Sequence, residues 1–185
     1  MRLSRHDKIA AVATRVLAVF PEMNTTEVER LRGRWDPLAA AVPAHITVAF
    51  PFEWPGPAST LADVIQPVLA ACAPFPLELA TPTIWEDEYL FILVEEGREQ
   101  VRWLHDSIYS QALHGAQRPS HFVPHMTVGR NAEQAALAAA LSEAKGMNLP
   151  LIGRAPSLTV YRRDEDGRRV RELDMPLGPT PQAAT

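Results

Sequence analysis

A four-residue pattern occurs twice in this chain and constrains its fold more than any other feature. Residues 45–48 read HITV and residues 125–128 read HMTV, so both alternate polar and apolar positions. This alternation is typical of a half-buried β-strand. Side chains two residues apart in a strand lie on one face, about 7 Å from each other. Each tetrad therefore presents an imidazole and a hydroxyl on one face and two apolar side chains on the other.

Two such strands facing each other predict a cleft that contains His45, Thr47, His125 and Thr127. Two imidazoles, with ordinary pKa values of about 6.5, can supply one general base and one general acid. Two threonine hydroxyls can donate hydrogen bonds to the oxygens of a phosphate between them. The pattern thus indicates chemistry at a phosphodiester bond, with both histidines catalytic and both threonines binding phosphate. Because the tetrads carry no added carboxylates at ligand spacing, we expect neither a metal nor a cofactor.

With these paired tetrads the sequence resembles the 2H phosphoesterase superfamily, and within it the bacterial 2′-5′ RNA ligase (LigT-like) branch. The resemblance also rests on Pro51-Phe52 after the first tetrad and on Gly129-Arg130 after the second. It covers residues 12–177. It implies two lobes related by a pseudo-twofold axis, with one tetrad in each lobe. It also implies metal-independent hydrolysis of the 2′,3′-cyclic phosphate ends of RNA, and reversible 2′-5′ RNA ligation by the same chemistry.

The patterning outside the tetrads predicts an α+β fold. Strands are predicted over residues 14–20, 44–50, 75–83, 89–95, 122–130, 157–163 and 168–175, and helices over 24–34, 59–72, 98–113 and 131–146. Prolines 51, 55 and 57 are predicted to end the first tetrad strand. These elements suggest two pseudo-symmetric lobes with antiparallel sheets flanked by helices around a central cleft. We expect residues 1–177 to form this single bilobal domain and residues 178–185 to be a disordered tail.

Three further residues are candidates for substrate binding: Arg130, Phe52 and Tyr161. Arg130 faces away from His125 in an ideal strand and reaches a phosphate only if the strand bulges at Gly129. A pair between Arg130 and a nearby acid fits equally well. Trp54, Trp85 and Tyr89 could also stack a base, but Phe52 and Tyr161 are favoured because their strands should border the cleft.

A loop histidine, His121, either supports His125 or is simply exposed. The arginines at positions 162, 163, 168, 169 and 171 could form a cationic patch, although acids beside them favour ordinary ion pairs.

Composition narrows the range of partners. The net charge of −4 over 185 residues argues against a broad nucleic-acid-coating surface, but not against an RNA end or a small cyclic nucleotide. Cys72 is the only cysteine, so an internal disulfide is excluded. No run of 18 apolar residues is present, so we expect a cytoplasmic protein without a membrane span. No obligate protein partner is evident.

Two other functions are compatible with the sequence. One is a phosphodiesterase that acts on small cyclic nucleotides or on ADP-ribose cyclic phosphate. The other is a non-catalytic nucleotide- or RNA-binding module on the same fold. The complete tetrads favour an enzyme, because a module that only binds has no need for both histidines. Which histidine is the acid and which is the base depends on the orientation of the substrate.

Overall fold

The computed structural model of the chain describes residues 12–164 and 168–179. Within them lie eight strands and four helices, in the order β1-α1-β2-α2-β3-β4-α3-β5-α4-β6-β7-β8. The strands are β1 Val12–Val19, β2 Ile46–Pro55, β3 Phe75–Trp85, β4 Tyr89–Val94, β5 His125–Arg130, β6 Leu151–Ala155, β7 Ser157–Arg163 and β8 Arg169–Pro176. The helices are α1 Thr26–Trp35, α2 Ala58–Ala70, α3 Arg98–Gln111 and α4 Gln134–Lys145.

The strands form one sheet in the order β6-β3-β4-β5-β2-β1-β7-β8, and every neighbouring pair is antiparallel. The two tetrad strands, β2 and β5, lie at its centre and meet through the pair Ile46–Met126. Outward from this pair, β2-β1-β7-β8 corresponds to β5-β4-β3-β6. The α+β prediction with two antiparallel lobes is confirmed, and the two predicted sheets are joined at the tetrads into one.

The apolar residues of both tetrads form the centre of the core. Ile46, Val48, Met126 and Val128 are all 0% exposed. Helix α1, which leads into β2, packs on β5, whereas α3, which leads into β5, packs on β2. Helix α4 covers β3, β4 and β5, and α2 packs against α3 and β8. Both tetrads are therefore held from behind by elements of both halves.

The glycine after the second tetrad allows α1 to approach the sheet closely. A Cβ atom added at Gly129 would lie 3.2 Å from Cβ of Trp35 and 3.3 Å from Cβ of Leu90. Such a contact is tighter than nine in ten real Cβ contacts. A side chain at this position would thus push α1 away from the strand that carries His125.

Some predicted boundaries were wrong. Strand β2 continues through Pro51 to Pro55, because the register with β1 shifts between Arg15 and Leu17 and creates a bulge where a proline is tolerated. Strand β5 starts at His125 rather than at residue 122. Strand β6 was not predicted, since it is short and contains Gly153.

Two predictions lie wholly or partly outside the described residues. These are the turn at Asp166-Gly167 and the disorder of residues 180–185. Gly178, at the start of the predicted tail, donates its N–H to the carbonyl of Leu69 at 3.0 Å. None of the helices in the described part of the chain has the length and apolar character needed to cross a bilayer.

Candidate active site

The pairing of β2 with β5 determines where the tetrads lie relative to each other. Ile46 is opposite Met126, and both strands run antiparallel. A local twofold axis therefore passes through this pair, and it exchanges the residue before Ile46 with the residue before Met126. The two tetrads are therefore adjacent at the centre of the sheet because of this one residue pair.

Continuing the register by one residue places His45 opposite Thr127 and Thr47 opposite His125. All four side chains are half-buried, and they lie on the face away from the core. Opposite residues of antiparallel strands have Cβ atoms about 5 Å apart. Because His45 and His125 are diagonal neighbours in this register, their Cβ atoms lie roughly 8 Å apart. The structure thus brings together, on one face of the sheet, the four residues that the tetrads singled out.

Each imidazole is held in the same way. Nδ1 of His45 lies 2.7 Å from the carbonyl oxygen of Pro43, and Nδ1 of His125 lies 2.6 Å from that of Val123. Because a carbonyl oxygen only accepts hydrogen bonds, Nδ1 carries the proton in both rings. Nε2 then has a lone pair in the neutral ring and an N–H in the charged ring. Both histidines are oriented to exchange protons through Nε2.

The surroundings favour the neutral form of both rings. Burial, with a smaller contribution from the charge of His45, lowers the pKa of His125 from 6.5 to about 4, and the Val123 carbonyl opposes this shift. The pKa of His45 is also lowered, first by burial and then by Arg32, against the Pro43 carbonyl and the acids Asp36 and Glu29. In the free protein both shifts therefore favour the uncharged imidazole. A phosphate between them would favour protonation, because its negative charge stabilises an imidazolium.

Aromatic side chains cover the His125 side of the cleft. The ring of Phe91 stacks on His125 with centroids 3.6 Å apart and an angle of 16° between the planes. Trp85 and Tyr89 lie against Phe91, at 6.1 Å and 5.8 Å between centroids. A pocket of about 340 Å³ opens here, and it is lined by Thr47, Phe50, Trp85, Glu86, Tyr89, Phe91, Pro119, His121, Phe122, Val123, His125 and Thr127. We call it the His125 pocket.

A smaller pocket of about 140 Å³ lies on the His45 side. The centroid of the Phe20 ring lies 5.6 Å from that of His45 and 5.0 Å from that of Tyr161. The angles between the ring planes are 34° and 33°. The lining of this His45 pocket is Val16, Ala18, Phe20, Leu38, Val42, His45, Thr47, Phe50, Pro51, Tyr161 and Arg169. Tyr161, one of the predicted substrate-binding residues, is therefore placed at the cleft. Thr47 and Phe50 line both pockets and separate them.

Two of the predicted binding residues, Phe52 and Arg130, are not among the residues that line the two cleft pockets. Phe52 is 5% exposed and packs in the core, because it lies on the opposite face of β2 from Thr47. Arg130 pairs with Glu88, with an N–O distance of 2.6 Å, and its guanidinium lies over the ring of Tyr89. It does not line either cleft pocket. Strand β5 does bulge here, because Phe91 pairs with Thr127 and Leu90 with Gly129, which leaves Val128 as the extra residue. Arg130 is thereby opposite Tyr89, which lines the His125 pocket, and a contact between Arg130 and the substrate stays a prediction.

The other aromatic and basic candidates are distributed as follows. Trp54 donates its indole N–H to Thr60 at 3.1 Å, outside both cleft pockets. Trp85 and Tyr89, which were rated below Phe52, do line the His125 pocket. Of the arginine cluster, Arg162 pairs with Glu172 and Arg171 pairs with Asp174, as the neighbouring acids predicted. Arg169 lines the His45 pocket.

Several lining residues were missed by sequence reasoning: Phe50, Phe91 and Phe122. The position of Phe91 follows from its pairing with Thr127 across β4 and β5, which no local pattern reveals. His121, which was placed either behind His125 or in solvent, is exposed and lines the His125 pocket.

A third histidine connects the elements around the cleft. His105 of α3 is fully buried, and its Nδ1 lies 2.7 Å from the carbonyl oxygen of Val48, the last residue of the first tetrad. Its ring stacks on Phe122, with centroids 3.8 Å apart and an angle of 8°. The sequence analysis did not single out His105. The structure shows that it links β2 to the loop that forms a wall of the His125 pocket.

Within residues 12–164 and 168–179, no group of three or more His, Cys, Asp or Glu side chains is arranged to hold a metal ion.

The fold and the site together define the class of protein: two antiparallel halves that carry one His-x-Thr pair each around a shared cleft. The model of the "2′-5′ RNA ligase superfamily" matches residues 20–167. The chain therefore belongs to this superfamily, which is part of the 2H phosphoesterases that the tetrads indicated.

Curated relatives agree with this assignment. A "Putative phosphoesterase" of Geobacillus thermodenitrificans is 28% identical over 62% of this chain and 66% of its own length. "Putative phosphoesterase GK0864" of Geobacillus kaustophilus is 26% identical over 70% of this chain and 76% of its own length. The match to the first of these spans just under two thirds of that relative.

Solved structures show the same fold. The crystal structure of E. coli LigT complexed with 3′-AMP aligns with a TM-score of 0.62 at 17% identity, covering 90% of this chain and 99% of that one. A second structure, described as a phosphoesterase, aligns with a TM-score of 0.59 at 16% identity, covering 91% of this chain and 99% of that one.

Proposed function

We propose that this protein is a metal-independent phosphodiesterase that hydrolyses the 2′,3′-cyclic phosphate ends of RNA. The observation that supports the proposal is the Ile46–Met126 pair, because its register puts both Nδ1-bonded imidazoles and both threonines at neighbouring positions of one sheet face. An acid, a base and two hydrogen-bond donors are the groups that opening a cyclic phosphate requires. Superfamily membership and the 3′-AMP in the E. coli LigT structure support a nucleotide substrate.

The unequal pockets suggest how the substrate is oriented. The His125 pocket is aromatic and about 340 Å³, within the range of small-molecule sites, whereas the His45 pocket is about 140 Å³. A nucleoside stacks favourably on aromatic rings, so we assign it to the His125 pocket. His45 then faces the side of phosphorus from which water attacks.

This orientation assigns the two proton transfers. Nε2 of neutral His45 takes a proton from water as the water oxygen bonds to phosphorus. Nε2–H of charged His125 donates a proton to the ribose oxygen as its bond to phosphorus breaks. The hydroxyls of Thr47 and Thr127 donate hydrogen bonds to the non-bridging oxygens and stabilise their charge. The net reaction consumes one water, and solvent restores the protonation of both rings.

Ligation uses the same groups in the same roles as hydrolysis. A 5′-hydroxyl replaces water as the nucleophile, and the 2′ oxygen keeps the phosphate, so a 2′-5′ bond forms. The two histidines exchange roles when the reaction runs backward. An alternative substrate is a small cyclic nucleotide or ADP-ribose cyclic phosphate. The volume of the His125 pocket supports this alternative, because it suits a single nucleoside.

The experiment is a panel of substrates assayed in the presence of EDTA. It contains cyclic-phosphate mononucleotides, oligonucleotides with a cyclic-phosphate end, and ADP-ribose cyclic phosphate. We expect turnover of the RNA-type substrates without added metal. Turnover of ADP-ribose cyclic phosphate alone would identify the alternative substrate.

Two other outcomes contradict an acid–base mechanism. Binding of the panel without any turnover would indicate a non-catalytic module. Loss of activity in EDTA that one divalent metal restores would show that the two histidines do not act alone.

A further inference from the structure

A second cavity continues from the His125 pocket along helix α3. It measures about 710 Å³ and shares the wall of Trp85, His121, Phe122 and Val123 with the His125 pocket. Its far side is formed by Arg102 and Asp106 of α3 and by Arg118 of the following loop. The proposed nucleoside site is thus continuous with a second cavity, and two arginines lie at the far end of that cavity.

Both arginines are available to an anion. Arg118 pairs with Asp106 at 2.5 Å, and their side chains are 47% and 59% exposed. Exposed ion pairs of this kind contribute little free energy, so Arg118 can exchange Asp106 for a phosphate at small cost. Arg102 is also exposed and donates one N–H to the carbonyl of Phe122 at 3.2 Å. A guanidinium has five donors in a planar fork and suits two oxygens of a phosphate.

We propose that this cavity holds the nucleotide that precedes the cyclic-phosphate terminus, with Arg118 and Arg102 binding the phosphodiester that links the two nucleotides. The inference rests on the proposed function, because it extends the same site. The ligand class is a single-stranded RNA end of at least two nucleotides. His121 and Trp85 lie at the boundary between the two cavities, where the linking phosphate and the second base would pass.

The site should end after the second nucleotide. A third cavity of about 690 Å³ follows beyond Arg102 and Asp106. Among the described residues that line this third cavity, the charged ones are Arg102, Asp106 and Glu99. The third cavity therefore contributes one new acid, Glu99, and no new cation. Further phosphates would meet repulsion there rather than neutralisation. The overall charge of −4 acts in the same direction.

The test compares substrates of one, two and three nucleotides, each with a 2′,3′-cyclic phosphate end. Each is assayed with the unmodified protein, with Arg118→Gln and with Arg154→Gln. Arg154 is a matched control, because it is an exposed arginine paired with an acid, Glu22, and lies outside the cleft pockets. The readout is kcat/KM at two salt concentrations.

We expect kcat/KM to rise about tenfold from one nucleotide to two, and to change little from two to three, since a hydrogen-bonded charge pair has about this effect. Arg118→Gln should remove most of the gain, leave the mononucleotide unchanged and weaken the salt dependence for the dinucleotide. Arg154→Gln should behave as the unmodified protein. Equal kcat/KM for one and two nucleotides, or an equal loss on both in Arg118→Gln, would overturn the inference.

Failure of the proposed function gives a different result. If none of the three substrates is hydrolysed, the phosphodiesterase assignment is wrong. The cavity is then tested by calorimetric binding of 3′-phosphorylated mono- and dinucleotides. Weaker binding of the dinucleotide alone in Arg118→Gln supports the two-nucleotide site, and unchanged binding of both contradicts it.

Discussion

The two sides of the cleft share their chemical groups but differ in what surrounds them. Each side has a histidine whose Nδ1 donates to a carbonyl two residues earlier in the chain. His125, however, is covered by the ring of Phe91, with centroids 3.6 Å apart. The ring of Phe20 is tilted by 34° against His45, and their centroids are 5.6 Å apart. The pocket beside His125 is also more than twice as large. The two histidines proposed to be catalytic are thus held in the same way, whereas the proposed recognition of the nucleoside is assigned to one side.

The difference arises in the strands that flank the tetrads. Strand β4 pairs with β5 and contributes Tyr89 and Phe91 to the cleft, whereas β1 pairs with β2 and contributes Val16 and Ala18. β1 and β4 occupy corresponding positions in the two halves. Substitutions on the two sides can therefore separate shared chemistry from one-sided recognition.

The largest effect is expected when either imidazole is removed. His45→Ala and His125→Ala should each lower kcat by about 10²–10⁴, because each removes one of two required proton transfers. The losses should be similar on the two sides, and substrate binding should change much less. His114→Ala, at an exposed position outside both cleft pockets, is the control. Near-normal turnover in either tetrad variant would show that the pair does not act as acid and base.

The threonines should have the next largest effect. Thr47→Ala and Thr127→Ala should each cost about 1–3 kcal/mol in kcat/KM, because a hydrogen bond to the charged phosphate oxygens is lost. Thr→Ser at the same positions keeps the hydroxyl and should be milder. If Ser and Ala are equally damaging, the methyl group matters through packing and the phosphate contact is not the cause.

The pH profile of kcat/KM reports on the histidines together. The active form requires one neutral and one charged ring, so the profile should be bell-shaped with its maximum between the two pKa values. Because burial lowers both pKa values, to about 4 for His125, the maximum should lie on the acidic side of pH 6.5. Activity should then fall as the pH rises and the proton donor is lost. A rate that rises steadily from pH 5 to pH 9 would contradict this assignment.

The smallest effect concerns the rings that cover the histidines. Phe91→Leu should raise the pKa of His125 from about 4 by roughly one pH unit, since a smaller side chain admits water to the imidazole. Phe20→Leu should move the pKa of His45 less, because Phe20 is farther from that ring. NMR titration of the imidazole C–H signals measures both. A larger shift at His45 than at His125 would reverse the comparison between the two sides.

The sequence was sufficient to predict the tetrads and the face on which their polar residues lie. Alternation within residues 45–48 and 125–128 determines that face, and burial of Ile46 and Met126 agrees with it. Phe52 was wrongly placed at the cleft, although its five-residue offset from Thr47 already puts it on the opposite face in a regular strand. The prediction relied on nearness along the chain and neglected the alternation.

Features that depend on pairing between distant strands were not predictable. Phe91 reaches His125 because β4 pairs with β5, and Pro51 stays in β2 because β2 bulges there against β1. His105 acquires its position from the packing of α3 on β2. Local sequence patterns carry no information about such register, so the walls of the cleft required the structure, whereas the tetrad groups did not.

A crystal structure with a nucleoside 2′-phosphate, in which the 2′ oxygen keeps the phosphate as in the proposed ligation, tests the central claim most directly. The account predicts the phosphate between Nε2 of His45 and Nε2 of His125, with phosphate oxygens about 2.7–3.2 Å from these atoms and from the hydroxyls of Thr47 and Thr127. It also predicts the base against Phe91 and Trp85 in the His125 pocket. A phosphate bound by one tetrad alone would contradict the shared site, and a base on the His45 side would contradict the assignment of recognition to the other half.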